Sequence, residues 1–386
     1  MAKSVADLPL HTGTVPPWLA ARMIKLAKIV VRLVAEEYGT VGFLERISDP
    51  IWFQALNNLI GMDWDSSGST TVTCGILKQV LSSEDLDVSA AGGKGSRSRE
   101  TPRELKKICS DYGLDPQEYI MASRLVAKID NNALQCGYTL YHHMFFVDRE
   151  GNWAVVQQGM NLANRMARRY HWFSGCLNDF IVEPHKAISG IKHSYALNTI
   201  ARKIGEFRKT VVDLAKEPVS KLERDLKSVL ALARGNTPLA YYTPYTIEEA
   251  KNKVRKYESL GPVSLNKIAL NKARELAVAD FKELLLVKGL GPSTLRALAL
   301  VAELVYETPP SWKDPVTHPV DPFKYAYAVG GKDGVPFPVD KKTYDELLSF
   351  LETLLTKARD HRKIFLRNIA KITKNWTPPP EDKIPT

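Results

Sequence analysis

Apolar side chains recur at helical spacing over residues 19–38, with basic ones on the other side, and Pro16-Pro17-Trp18 opens that helix. Ser48-Asp49-Pro50 marks an N-cap with proline in the first turn of a second helix running to Ile60. A polar, glycine-bearing loop from Gly61 then feeds a short helix that carries Lys78. Residues 90–99, Ala-Ala-Gly-Gly-Lys-Gly-Ser-Arg-Ser-Arg, predict a second loop, glycine-rich and basic. Helix starts follow at Thr101-Pro102-Arg103-Glu104 and at Asp115-Pro116, with residues 117–134 helical. After Gly137 the period becomes strand-like. Residues 138–147, a turn at Asp148-Arg149-Glu150-Gly151-Asn152 and residues 153–158 predict a β-hairpin. Residues 188–233 and 247–305 are helix-rich. The Pro- and Gly-dense stretch 314–340 predicts an ordered loop, residues 344–375 a final basic helix, and the end from Pro378 a frayed tail.

At 386 residues the chain fits two or three domains, and 44% hydrophobic with 25% charged residues is ordinary for a globular protein. A formal charge of +10 favours a polyanionic partner. Cys74, Cys109, Cys136 and Cys176 are widely spaced without a CxxC pair, which argues against a zinc ribbon or a disulfide framework. The N-terminus lacks the apolar core of a signal peptide, and Lys25, Lys28 and Arg32 interrupt the longest apolar run. The expectation is a cytoplasmic protein without a membrane span.

One segment changes the picture. In FKELLLVKGLGPSTLRALALVAE (281–303), an apolar helical run ends at Gly289-Leu290-Gly291-Pro292 and a second helix begins at Ser293-Thr294-Leu295-Arg296. Such a turn points free backbone N–H groups outward at a helix N-terminus, where they can hold a phosphate. The pattern resembles the helix-hairpin-helix motif of DNA repair and recombination proteins, which implies a grip on the nucleic-acid backbone through Lys288, Gly289, Gly291, Ser293, Thr294 and Arg296. An ordinary helix–glycine-turn–helix is the alternative. With it, the expected fold is α+β and mainly helical: a β-hairpin or small antiparallel sheet in the first half and a helix-hairpin-helix unit in the second. The expected organisation is a helical N-terminal region (1–110), an α/β region with the hairpin (111–186), a helical domain (187–376) and a tail (377–386).

Several blocks together, LPLHTGTVPPWL, SDPIWFQALNNLIGMDWDSSGSTT, AGGKGSRSRETP, YTLYHHMFFVDREGNWAVVQQGMN, ARRYHW and YAVGGKDGVPFPVD, resemble the domain of unknown function 763 family of archaea and some thermophilic bacteria. The resemblance runs from Leu8 to about Asp345 and implies no established activity.

Candidate chemistry is densest around the hairpin: Tyr141, His142, His143, Asp148, Gln157 and Gln158. Alternation along a strand puts His142 and His143 on opposite faces, with one of them near Gln157 or Gln158 across the hairpin. The segment departs from the pattern of PD-(D/E)xK nucleases, because Gln157 and Gln158 stand where an acid and a lysine are needed, and an amide is a poor ligand for a hard dication such as Mg²⁺. A nuclease using His143 and Arg169 without carboxylates stays open. Arg168 and Arg169, among aromatic residues, suit either a single-strand groove or a helix surface. Lys94, Arg97 and Arg99 are placed to meet phosphates, while Asp63 or Asp65 in the serine-rich loop could act as a base. In base-excision glycosylases of the helix-hairpin-helix superfamily a catalytic Asp follows the turn. Asp314 is the best match here and Asp321 a weaker one, with Ser293 at the position of the Schiff-base lysine. The expected function is DNA binding in nucleic-acid processing or repair, with phosphodiester cleavage as the activity and a divalent metal such as Mg²⁺ as its cofactor. A DNA glycosylase and a non-enzymatic DNA-binding adaptor are the alternatives.

Overall fold

Pro17 sets the first turn of α1 (Pro17–Ile47), whose apolar stripe is buried from Leu19 through Val34. Gly39 breaks its helical geometry at φ 70°, ψ −177°, one residue past the point where the apolar spacing ends. Asp49 caps α2 (Pro50–Leu59), accepting from the Ile51 and Trp52 amides at 2.7 and 3.0 Å. The computed structural model describes residues 15–62, 67–84, 86–233, 245–319, 330–334 and 338–356. Asp63, Asp65 and Asp321, the tail, and the last helix beyond Thr356 lie outside those residues.

From α3 (Ser67–Ser83) the chain enters β1 (Val88–Lys94), then a 3₁₀ turn (Gly95–Glu100), α4 (Thr101–Tyr112) and α5 (Pro116–Lys128). A π-helical turn, Ile129–Ala133, extends α5. Next come β2 (Leu134–Gln135), β3 (Thr139–Asp148), β4 (Trp153–Asn161), β5 (Met166–Phe173), β6 (Ala187–Ser189) and β7 (Leu197–Asn198). The second half is helical: α6 (Gly205–Lys216), α7 (Val219–Ala233), α8 (Ile247–Glu258), α9 (Lys267–Glu275), α10 (Phe281–Leu286), α11 (Pro292–Val305) and α12 (Lys341–Thr356). The protein is therefore α+β and mainly helical.

The hairpin is the centre of a five-stranded antiparallel sheet ordered β1-β3-β4-β5-β6, while β2 and β7 pair separately. Two expectations need correction. The glycine-rich stretch 90–99 is strand and 3₁₀ turn rather than loop. Its glycines serve close approach: Gly92 pairs with Met144 at φ 107°, and a Cβ there would lie 2.2 Å from the His143 carbonyl oxygen. Glu104 accepts from the Gly92 amide at 2.6 Å and is itself held by Lys78. The run Arg168–Trp172 is neither groove nor helix surface but an inner strand.

Both faces of the sheet are covered. Met144, Phe146, Ala154, Val156 and Phe173 pack into the core of α1–α3 and α12. Phe145, Val147, Val155, Tyr170 and Trp172 join the core of α4, α5 and the C-terminal helices. The α12 helix returns to the first face, where Tyr344 donates to the Ile60 carbonyl at 3.0 Å and Asp345 pairs with Arg22 at 2.8 Å.

Gly92→Ala should therefore lower unfolding stability by about 3 kcal/mol, from strain and overpacking together. Gly113→Ala, also at positive φ but with nothing within 4 Å of the new Cβ, should cost about 1 kcal/mol. Urea titration of both variants checks this, and equal losses would remove the close approach as the reason for the glycine pair.

Candidate active site

Strand pairing lines up two rows of polar residues across the sheet. One row runs Lys94, His142, Gln158, Arg169, Ser189, and the next runs Gly93, His143, Gln157, Tyr170, Ile188. The pleat sends them to opposite faces.

On the α1–α3 face the hydrogen bonds are internal. Arg169 donates to Thr70 Oγ1 at 2.8 Å, Ser69 Oγ at 3.2 Å and Gln54 Oε1 at 3.2 Å. Gln158 donates to the Ser67 carbonyl at 2.8 Å and to the Tyr141 hydroxyl, and accepts from Thr70. His142 is buried among them, and neither ring nitrogen is hydrogen-bonded among the described residues. Burial, then the nearby His143, Arg169 and Lys94, pushes its imidazole down to about 3.

The opposite face carries a directed chain of hydrogen bonds. Asp130, in the π turn, accepts from Trp172 Nε1 at 3.0 Å, His185 Nε2 at 2.5 Å and the Gln157 amide nitrogen. Gln157 Oε1 lies 2.7 Å from His143 Nδ1, and His143 Nε2 lies 2.9 Å from Ser123 Oγ on α5. Burial holds His143 below the usual imidazole range, opposed by its bond to Gln157 and by the Asp130 charge. Ser123, His143 and Gln157 line a cleft of about 180 Å³ together with Ser98, Arg99, Thr101 and Arg124. At its rim Arg99 and Arg124 are exposed, as are Lys94 and Arg97 nearby in the chain, and among the described residues none of the four forms an ion pair, whereas Arg103 is held by Glu100.

The other sequence candidates lie elsewhere. Asp148 sits at the far end of β3, capping the hairpin by accepting from the Asn152 amide at 2.8 Å and from Thr40 at 2.9 Å. Arg168 and Arg169 are interior because β5 is covered on both faces, so neither is presented to a nucleic acid. Arg168 forms a buried two-pronged pair with Asp314 at 2.7 and 3.0 Å, and Asp314 also accepts from the His193 amide. Both carboxylate oxygens are thus engaged, which corrects the expectation of a free base beside the turn. At that turn, Arg296 donates to the Leu260 and Pro262 carbonyls and to Gln135, and the Thr294 hydroxyl accepts from the Asn266 amide. Only Lys288, Gly289 and the rim of Gly291–Ser293 face outward. The Ser293 and Thr294 amides make no hydrogen bond to the described protein. Among the described residues no three His, Cys, Asp or Glu side chains converge on a metal-sized site, so the Mg²⁺ expectation finds no ligand set there.

Sequence reasoning missed Ser123, Asp130, Trp172 and His185. A lone serine or aspartate inside a helical pattern carries no spacing signal, and His185 lies in a loop remote in sequence. The Asp130-Asn131-Asn132 run of poor helix formers was the one local hint.

The fold and site define an α+β protein whose helix-covered antiparallel sheet opens at one edge into a basic cleft over a hydroxyl–imidazole pair. Residues 4–339 match the family described as protein of unknown function DUF763, and the chain belongs to that family. Neither a curated protein nor a solved structure matches it. Among the described residues no helix is long and apolar enough to cross a membrane.

His142, His143 and His171 all have lowered proton affinity, by burial first in each case. In the unfolded chain they take up protons near pH 6.5, while the folded protein binds them only at lower pH. Stability is therefore full above about pH 6.5 and falls as pH drops, by at most about 1.4 kcal/mol per pH unit for each histidine until it takes up its proton in the fold. His142→Leu, which removes one of these groups and two unpaired nitrogens, should lose about 2 kcal/mol less than wild type between pH 7.5 and 5. Urea midpoints at the two pH values measure this, and identical acid losses would show that His142 protonates normally in the fold.

Proposed function

We propose that the protein binds the nucleic-acid backbone, DNA in the first instance, and cleaves phosphodiester bonds in the cleft over His143. The observation that carries the reading is the convergence, in one cleft, of a hydroxyl-bonded imidazole with arginines that have no acidic partner among the described residues. Arginine suits phosphate because its planar fork matches two oxygens at once. A neutral imidazole at this position can take a proton from an attacking hydroxyl or water and return it to the leaving oxygen.

The geometry of α5 supports a continuous path. Arg124 stands at the cleft, while Lys128 and Asn132 further along donate to the Leu290 carbonyl at 2.8 and 3.0 Å. At 1.5 Å per residue, roughly 12 Å of helix separates the cleft from the Gly289–Ser293 turn. A strand lying along this edge meets the basic rim and then the open amides of the turn. The glycosylase alternative needs an unengaged carboxylate at the turn, and Asp314 is committed to Arg168. The adaptor alternative shares the binding surface and differs only in lacking turnover.

Fluorescence anisotropy with labelled single- and double-stranded DNA tests the surface. Affinity should fall steeply between 50 and 200 mM salt, by about 10³ for six or so phosphate contacts. Arg99→Ala with Arg124→Ala should reduce the salt slope by about 2. Gly291→Val is a clean probe of the turn, because its φ of −112° is open to any residue and nothing lies within 4 Å of the new Cβ. It should fold normally and bind several-fold more weakly. Salt-insensitive affinity, or full affinity in the Gly291 variant, would remove backbone contact or the turn respectively from the reading. Strand scission should persist in EDTA and disappear in His143→Gln with DNA affinity kept. Binding with no scission under any metal condition would leave the adaptor.

A further inference from the structure

We propose that Ser123 is the nucleophile of this cleft, activated by a relayed triad in which Gln157 stands between His143 and Asp130. The inference rests on the cleft assigned under Proposed function and adds a covalent step to it.

Hydrogen-bond polarity fixes every member. Trp172 Nε1 can only donate, and it donates to Asp130. The same carboxylate oxygen takes the amide nitrogen of Gln157, which also points to the Val126 carbonyl at 3.4 Å. With its nitrogen committed to two acceptors, Gln157 presents Oε1 to His143 Nδ1. An amide oxygen only accepts, so the proton of the neutral imidazole sits on Nδ1. Nε2 then carries a lone pair, and the Ser123 hydroxyl 2.9 Å away must donate to it. A serine inside a helix ordinarily turns its hydroxyl back to the carbonyl one turn earlier. Ser123 instead bonds His143, and both line the cleft with Arg99 and Arg124.

The arrangement has the polarity of a serine–histidine–acid triad with one amide inserted. Asp130 is a positioning residue: it touches no substrate and sets the imidazole tautomer through Gln157. His185 and Trp172 hold Asp130 from behind, their rings 4.4 Å apart. In the reaction, Ser123 Oγ forms a bond to phosphorus as its proton passes to His143 Nε2. The P–O bond to the leaving ester oxygen breaks, and that oxygen takes the proton from His143. A water molecule then attacks the phosphoseryl diester, His143 accepts its proton and returns it to Oγ, and a phosphomonoester is released. Arg99 and Arg124 face the anionic oxygens throughout, and water is the sole co-reactant.

Two measurements on the full chain test this. Diisopropyl fluorophosphate should give one adduct, mapped to Ser123 by peptide mass and absent from Ser123→Ala. Adduct formation should slow about a hundredfold in Asp130→Asn, the scale of general-base assistance. Imidazole ¹⁵N shifts of the histidine-labelled protein at pH 8, with the signal assigned by His143→Gln, should show the His143 proton on Nδ1, and Asp130→Asn should move it wholly or partly to Nε2. A purely structural Asp130 would leave the tautomer unchanged. A wild-type proton on Nε2 overturns the relay even if the variants fail to fold. DNA scission without a Ser123 adduct overturns the nucleophile while leaving the cleft reading intact. A Ser123 adduct without DNA scission upholds the nucleophile and rejects phosphodiesters as its substrate.

Discussion

Everything distinctive about this fold follows from covering both faces of a sheet whose central strands are rich in polar side chains. Strands β3, β4 and β5 carry two histidines, two glutamines, two arginines and a third histidine, His171, at buried positions. Water is excluded, so each group needs a protein partner or lowers its charge. Those partners come from far along the chain: Thr70 and Gln54 for Arg169, Asp314 for Arg168, Asp130 for Trp172 and Gln157. The polar rows thereby fix which helices sit against which face. Register is equally constrained, since a slip by one residue would exchange the two rows between faces and strand every member.

Neither face meets that demand completely. The Asp130 carboxylate is held by three donors and its chain terminates in a hydroxyl at a cleft, yet on the same face the Tyr170 hydroxyl and Arg168 Nε have no partner among the described residues. On the α1–α3 face both His142 nitrogens lack partners among them, as does His171 Nε2. Unpaired buried nitrogens cost about 1–3 kcal/mol each. The buried Arg168–Asp314 pair is likewise a poor source of net stability, although losing one member would leave a charge uncompensated at about 3–5 kcal/mol. Specific pairing, rather than apolar area alone, is thus what this interior holds in place.

Legibility in the sequence followed physical locality. Caps at Asp49 and Asp115, the hairpin around Asp148–Asn152 and the turn at Gly289–Gly291 are set by residues within a few positions, and they were readable. The end of the apolar stripe at Tyr38 likewise anticipated the break at Gly39. Strands β1 and β5 were not readable, for opposite reasons. Gly92 and Gly93 mimic a loop because a strand needing close backbone approach uses the residues that turns use. Arg168 to Trp172 show no apolar–polar alternation because both faces are interior, which erases the period that marks a half-buried strand. At the candidate site the sequence put one of His142 or His143 near Gln157 or Gln158 across the hairpin, without deciding between them. Ser123, Asp130 and His185 were not visible, since their proximity is made by tertiary packing. Arg168, Arg169, Thr294 and Arg296 misled for a related reason: a cation beside an aromatic or a glycine turn signals phosphate binding only if it reaches the surface.

The π turn that ends α5 connects these features. A regular helix would continue at 3.6 residues per turn, whereas the wider turn at Ile129–Ala133 buries Asp130 and Asn132 together and returns the chain at once to β2. Asp130 then faces Gln157 and Trp172, while Asn132, with Lys128, holds the Leu290 carbonyl. About two turns earlier the same helix places Ser123 against His143 and Arg124 at the cleft. Helices that widen in this way often do so at functional sites, because the irregularity survives only where something else fixes it. Here the fixing groups are the buried carboxylate on one side and the carbonyl of the glycine turn on the other. A displacement of α5 would therefore disturb the relay and the turn together, which makes this helix the mechanical link between the proposed site of chemistry and the proposed grip on the strand.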